Sequence, residues 1–235
     1  MPCSRNHAIL PWCERDRRAG AVKELGIDTQ FGAAKAHLRS ADQPRAALVL
    51  GHGAGGGVTA PDLVAVAGVA HSAGLSVALV EQPYRVAGRR APAPAHQLDA
   101  AWTAVIDHLL AGELRALPLI VGGRSAGARV ACRTAEATGA VAVLCLAFPL
   151  QTPPRSGAAP KPSRLPELDA VSVPMLVVQG LRDRFGIPPS TKTRSVVQVA
   201  SDHSLRSDLG AVEKAVGAWL VGLGKSADLQ HGGTG

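Results

Sequence analysis

The chain has 235 residues, of which 46% are hydrophobic and only 3% aromatic, and it carries a net charge of +7. That apolar fraction suits a packed globular core and excludes wholesale disorder. The basic residues are scattered over loops, helices and the N-terminus rather than gathered in a stripe with stacking aromatics, which argues against nucleic-acid binding.

Residues 1–24, with their Arg and Pro, read as a poorly ordered N-terminal extension lacking the apolar run of a secretory leader. Residues 26–39 (GIDTQFGAAKAHLR) predict a hairpin or edge strands. Apolar runs then recur at 46–50 (AALVL), 75–80 (LSVALV), 117–121 (LPLIV), 141–147 (VAVLCLA), 174–178 (PMLVV) and 195–199 (SVVQV). Continuous rather than alternating apolar character marks strands buried on both faces. Between them, Leu98, Trp102, Val105, Ile106 and Leu109 form one stripe of a helix over 97–110. Val212, Val216, Trp219, Leu220 and Leu223 repeat that spacing in a last helix. The alternation predicts a doubly wound, mostly parallel α/β sheet with helices on both faces, in one domain over residues 25–224. The Pro-rich stretch 149–166 is a surface connection too short for a large lid, and 225–235 a flexible tail.

No segment is apolar and long enough to span a membrane. Cys132 falls in a helix and Cys145 in a strand, where free thiols act as small hydrophobes, and no metal-ligand spacing occurs among the four cysteines. The expected home is a reducing cytoplasm, with no metal and no organic cofactor.

Gly123-Arg124-Ser125-Ala126-Gly127 fits G-x-S-x-G, between a buried strand and a helix (ARVACRTAEA). A turn that sharp leaves no room for bulk beside the serine, hence glycine on both sides. The bland alternative is a glycine-rich turn with an incidental serine. A serine hydroxyl needs a histidine to take its proton and an acid to orient that histidine, in the chain order Ser, acid, His. Downstream lie only His203, on the loop after the last apolar strand, and His231, in the tail. His203 is therefore the expected base, against the reading of a solvated loop histidine. Asp183 follows the preceding strand and is the expected acid, against a capping role or pairing with Arg182 or Arg184. Asp202 adjoins His203 and is a poor orienter, because adjacent side chains diverge.

Negative charge developing on the substrate needs donors. One is the backbone N–H of Ala126. The other belongs to the loop His52-Gly53-Ala54-Gly55-Gly56-Gly57 after the 46–50 strand, where Ala54 is favoured and Gly53 or Gly55 are the alternatives. A phosphate cradle is the competing reading of that loop, but no GxxxxGK[ST] is present.

Together LGHGAGG, QPYRVAGRRAP, GGRSAGARVA, LAFPL, VVQGLRDRFG and DHSL resemble the α/β-hydrolase superfamily. More narrowly, they are similar to its small lid-less members related to dienelactone hydrolases and testis-expressed hydrolase-like proteins. The resemblance spans residues 27–223 and implies a nucleophile at Ser125, an acid at Asp183 and a base at His203. The ordered Ser, Asp, His set with its glycine-rich donor loop points to a serine esterase or thioesterase acting on a small acyl substrate, and the scattered charge and lack of a long apolar segment point to no nucleic-acid or membrane partner. Two alternatives use the same scaffold: acyl transfer to an acceptor other than water, and a non-catalytic interaction protein using arginines such as Arg85, Arg89 and Arg90. Arg85 is the candidate for the pocket mouth, or else a solvated loop residue.

Overall fold

The computed structural model describes residues 21–153 and 161–225, so most of the N-terminal extension, part of the Pro-rich connection, the tail and His231 lie outside the described residues. In chain order the elements are β1 (Lys23–Thr29), β2 (Gly32–Arg39), β3 (Ala46–Gly51), α1 (Pro61–Ser72), β4 (Leu75–Glu81), α2 (Pro83–Val86), α3 (Ala95–Ala111), β5 (Leu119–Arg124), α4 (Ala126–Thr134), β6 (Ala142–Leu146), α5 (Leu165–Asp169), β7 (Met175–Gly180), β8 (Arg194–Val199) and α6 (Leu209–Lys225).

The eight strands form one sheet in the order β1-β2-β4-β3-β5-β6-β7-β8. The β1–β2 hairpin runs antiparallel and joins β4 antiparallel, while β4, β3, β5, β6, β7 and β8 are parallel. Every residue of β3 and β6 is buried, which their unbroken apolar runs require. Alternate residues serve two cores. Ala47 and Val49 of β3 face Trp102 and Ile106 of α3 and Val130 of α4. Leu48 and Leu50 face Leu63 and Val66 of α1 and Val212 and Val216 of α6. Trp219, placed on the buried stripe of the last helix by spacing, packs at the margin of this second core and stays partly exposed.

β3 sits between β4 and β5, so winding reverses there and the loops leaving the carboxyl ends of β3 and β5 diverge around a crevice. The elements depart from the sequence expectation in three places. β5 continues past Val121 through Gly122 and Gly123 to Arg124, because these residues keep pairing with β6, and with β3 as far as Gly123; the close approach demands glycine, since a Cβ on Gly122 would lie 2.4 Å from the Leu144 carbonyl oxygen. Short α2 and α5 interrupt stretches expected to be irregular. β1 begins at Lys23, so the first strand takes in two residues assigned by sequence to the extension. No helix among the described residues is long and apolar enough to cross a membrane.

Candidate active site

Ser125 forms the turn between β5 and α4 at φ 52° and ψ −107°, on the side of backbone space that residues with a side chain seldom occupy. Holding such a conformation costs about 1–3 kcal/mol, and the surroundings must enforce it. Its N–H donates to the Leu146 carbonyl at 2.9 Å, and its own carbonyl accepts from Arg129 N–H at 3.2 Å. The flanking glycines let α4 sit directly on β3. A Cβ on Gly127 would fall 2.3 Å from the Gly51 carbonyl oxygen, and one on Gly123 would fall 2.5 Å from the same atom. Glycine on both sides of the serine is thus a packing requirement between two backbones.

His203 lies on the loop between β8 and α6. Its Nε2 is 3.0 Å from Ser125 Oγ and its Nδ1 is 2.8 Å from Asp183 Oδ2. With Nδ1–H directed at the carboxylate, Nε2 presents its lone pair to the serine hydroxyl. Asp183 follows β7 with a wholly buried carboxylate, and its Oδ1 accepts the Phe185 N–H at 2.9 Å. Asp183 pairs with the imidazole and with neither Arg182 nor Arg184 among the described contacts. Asp202 turns away and accepts from the N–H and hydroxyl of Ser204 at 2.8 and 2.6 Å.

Two residues of this region carried no functional reading in the sequence. Gln179, fully buried near the end of β7, places Nε2 2.7 Å from Asp183 Oδ2, 3.1 Å from the Phe148 carbonyl and 3.0 Å from the Gly186 carbonyl. Its two hydrogens are therefore shared among three acceptors, and it ties the acid to two loop backbones. An amide inside MLVVQG was the available signal, since a polar side chain in a buried run must have a partner. Next to it, Gly180 lets the loop of His203 close onto β7: a Cβ there would lie 2.4 Å from the Asp202 carbonyl oxygen.

The glycine-rich loop after β3 lies against the serine, with only 3.6 Å between the Cβ position of Gly53 and the Cβ of Ser125. His52 supports it from below. Its Nδ1 is 2.8 Å from the Gly53 carbonyl oxygen, and its Nε2 accepts the Gln82 N–H at 3.2 Å. Those two roles fit only the neutral ring protonated on Nδ1, and burial pushes the His52 pKa below its ordinary value. Tyr84, edge-on to His52 with centroids 5.7 Å apart, donates its hydroxyl to the Ala54 carbonyl at 3.2 Å. A trans peptide points its N–H opposite to its C=O, so fixing the Gly53 carbonyl toward His52 turns the Ala54 N–H away from it. The Ala126 N–H opens α4 and has no acceptor within the helix. Gly55 has open space where a Cβ would sit, so packing does not demand glycine there.

A cavity of about 400 Å³ is walled by Phe31, Pro83, Tyr84, Val86 and Leu98, with Arg89 among its lining residues; neither the glycine-rich loop nor Ser125, His203 or Asp183 lines it, and Gln82 and Tyr84 link its wall to that loop. Arg85, the arginine considered for a pocket mouth, is not among its lining residues; its guanidinium lies near Gly57 of the glycine-rich loop instead. Among the described residues no cluster of His, Cys, Asp and Glu is arranged to hold a metal ion.

The fold recurs in solved structures of low sequence identity. Est1E from Butyrivibrio proteoclasticus superposes with a TM-score of 0.71 at 15% identity, covering 86% of this chain and 99% of that one. Dienelactone hydrolase from Anabaena variabilis gives 0.65 at 17%, covering 86% and 99%. XC6422 from Xanthomonas campestris, described as a serine hydrolase without a lid, gives 0.61 at 19%, covering 85% and 95%. No curated protein sequence matches the chain. The family model described as the alpha/beta hydrolase domain matches residues 44–208, a span that begins just before β3 and includes Ser125, Asp183 and His203, and the chain belongs to that family.

Proposed function

We propose that the protein is a serine hydrolase cleaving small carboxylic esters or thioesters through an acyl-enzyme. The observation that carries this reading is the row Ser125 Oγ, His203 Nε2, His203 Nδ1, Asp183 Oδ2, with successive contacts of 3.0 and 2.8 Å, on a strained turn at the carboxyl edge of the sheet. In the forward step Ser125 Oγ bonds to the substrate carbonyl carbon while its proton passes to His203 Nε2. The imidazolium then protonates the departing alkoxide or thiolate. Water next attacks the acyl-serine, gives a proton to His203, and the acid leaves as Ser125 regains its hydrogen. Asp183 holds the tautomer and stabilises the charged ring. The Ala126 and Ala54 N–H groups are the donors assigned to the oxyanion. Removing one such donor typically costs about 10²–10³-fold in rate, which sets the importance of His52 and Tyr84 in holding the loop. The cavity beside Tyr84 is assigned to the apolar part of the substrate.

A fluorophosphonate probe followed by peptide mapping tests the reading. Wild type is expected to be labelled on Ser125, and Ser125→Ala to be unlabelled with ester hydrolysis lowered by roughly 10³-fold or more. Equal labelling of both proteins, or none of either, overturns it.

A further inference from the structure

The residue before the serine does more than fill the motif. Arg124 ends β5, and its Nε pairs with Asp62 Oδ2 of α1 at 2.9 Å. That carboxylate is 1% exposed and the arginine side chain 17%. A second nitrogen of the guanidinium, Nη2, donates to the His203 carbonyl at 3.0 Å. Nη1 lies against the glycine-rich loop, 2.8 Å from where a Cβ of Gly53 would be. One rigid cation therefore touches α1, the loop after β3 and the loop of His203, and is covalently joined to Ser125.

The sheet topology explains why such a link is needed. β5 and β8 are separated by β6 and β7, three strand spacings of roughly 4.8 Å, so their ends stand about 14 Å apart. The loop after β8 must reach back over two strand ends for His203 to meet Ser125. Asp183 and Gln179 hold the imidazole from the β7 side. Arg124 holds the backbone of the same residue from the β5 side. Asp62 in turn fixes the arginine, and its Oδ1 is occupied by the Leu63 N–H at 3.0 Å. Burial pushes the Asp62 pKa up, while the adjacent guanidinium pulls it down.

We infer that the Asp62–Arg124 pair is a positioning device that sets His203 at hydrogen-bond distance from Ser125 and keeps the glycine-rich loop against the serine. The inference rests on the hydrolase reading above. Arg124 touches no reacting atom; it acts through the His203 backbone and the Gly53 loop.

Arg124→Lys separates this role from support of the fold. Lysine keeps a positive charge for Asp62 but has no planar second arm to reach the His203 carbonyl. The expected result is an acylation rate at Ser125 lowered by about 10²-fold, the usual consequence of misplacing a reacting group by about an ångström. KM and thermal midpoint stay near wild type. In Arg124→Ala, ethylguanidine is expected to refill the slot and raise the labelling rate at least several-fold. Arg124→Lys acylating at the wild-type rate overturns the inference. So does a loss of rate that tracks a loss of thermal stability with no ethylguanidine rescue, because the pair is then only a brace. Wild type left unlabelled at Ser125 fails at the earlier step and overturns the hydrolase reading with it.

Discussion

The Phe185 ring packs on the His203 imidazole, with centroids 4.4 Å apart and planes at 56°. The same residue donates its backbone N–H to Asp183. Phe185 therefore holds the His203 imidazole with its side chain and the Asp183 carboxylate with its main chain. Phe185→Ala removes only the first of these. Ring pairs of this kind contribute about 0.5–1.5 kcal/mol, so kcat is expected to fall about two- to tenfold with KM little changed. Steady-state kinetics on a p-nitrophenyl ester give the answer; an unchanged kcat would show that the ring contact does not restrain His203.

Gly180 joins the acid and base loops by the absence of a side chain. A Cβ at that position would meet the Asp202 and Ser201 carbonyl oxygens at 2.4 and 2.6 Å. Backbone that rigid gives way only by retreat of the loop, which the Arg182 N–H otherwise holds to the Ser201 carbonyl at 3.0 Å. Gly180→Ala is expected to move His203 away from Ser125, with kcat lowered about 10²-fold. The accompanying loss of stability is set at about 1–3 kcal/mol, the usual range for overpacking. Comparing kcat with a urea titration of the same sample tests both, and a fully active, fully stable variant would contradict the geometry.

What each residue does decides how visible it is in the sequence. Ser125, Asp183 and His203 stood out because each follows an apolar run closely, and reactive groups in parallel sheets gather where strands end. Gly123 and Gly127 stood out because close backbone approach permits no other residue. Arg124 and Asp62 did not, since a lone arginine and a carboxylate 62 residues earlier share no spacing until the fold brings the start of α1 to the end of β5. Gln179 gave only the weak sign of an amide in an apolar strand. The short α2 was hidden because the run PYRV is too short for helical periodicity, although proline at its first position is a start signal. The β1–β2 hairpin was visible as edge strands, while its antiparallel attachment to β4 depends on which partner the sheet leaves unpaired.

His52 makes the glycine-rich loop sensitive to acid. The folded protein needs it neutral, and burial sets its pKa below the ordinary value of 6.5. An unfolded chain thus takes up the proton first as pH falls. The stabilisation is present in full above about pH 6.5 and is lost as pH falls toward and through the lowered folded value. His52→Asn removes this titration. It is expected to be less stable than wild type at pH 7.5 and to lose less further stability between pH 7.5 and 5.5. Thermal midpoints of both proteins at the two pH values supply the comparison, in which the carboxylates common to both cancel. Identical pH dependence in the two would mean that His52 is not held neutral by the fold.

The assignment of the cavity beside Tyr84 to the apolar part of the substrate is tested at Ala93. Ala93 is one of its lining residues and is only partly buried, so a larger side chain there can extend into the space of about 400 Å³. None of Ser125, His203, Asp183 and the glycine-rich loop lines this space, so the row of the three stays intact. Ala93→Trp is expected to leave acetyl ester hydrolysis and fluorophosphonate labelling of Ser125 near wild type. KM for esters of longer acyl chains should rise, since each methylene denied its place is worth roughly 1–3 kcal/mol and the change in preference reaches tenfold or more. The measurement is kcat/KM across a series of p-nitrophenyl esters from acetate to octanoate. A uniform change along the series would place the acyl chain elsewhere, because only a filled pocket distinguishes the long chain from the short.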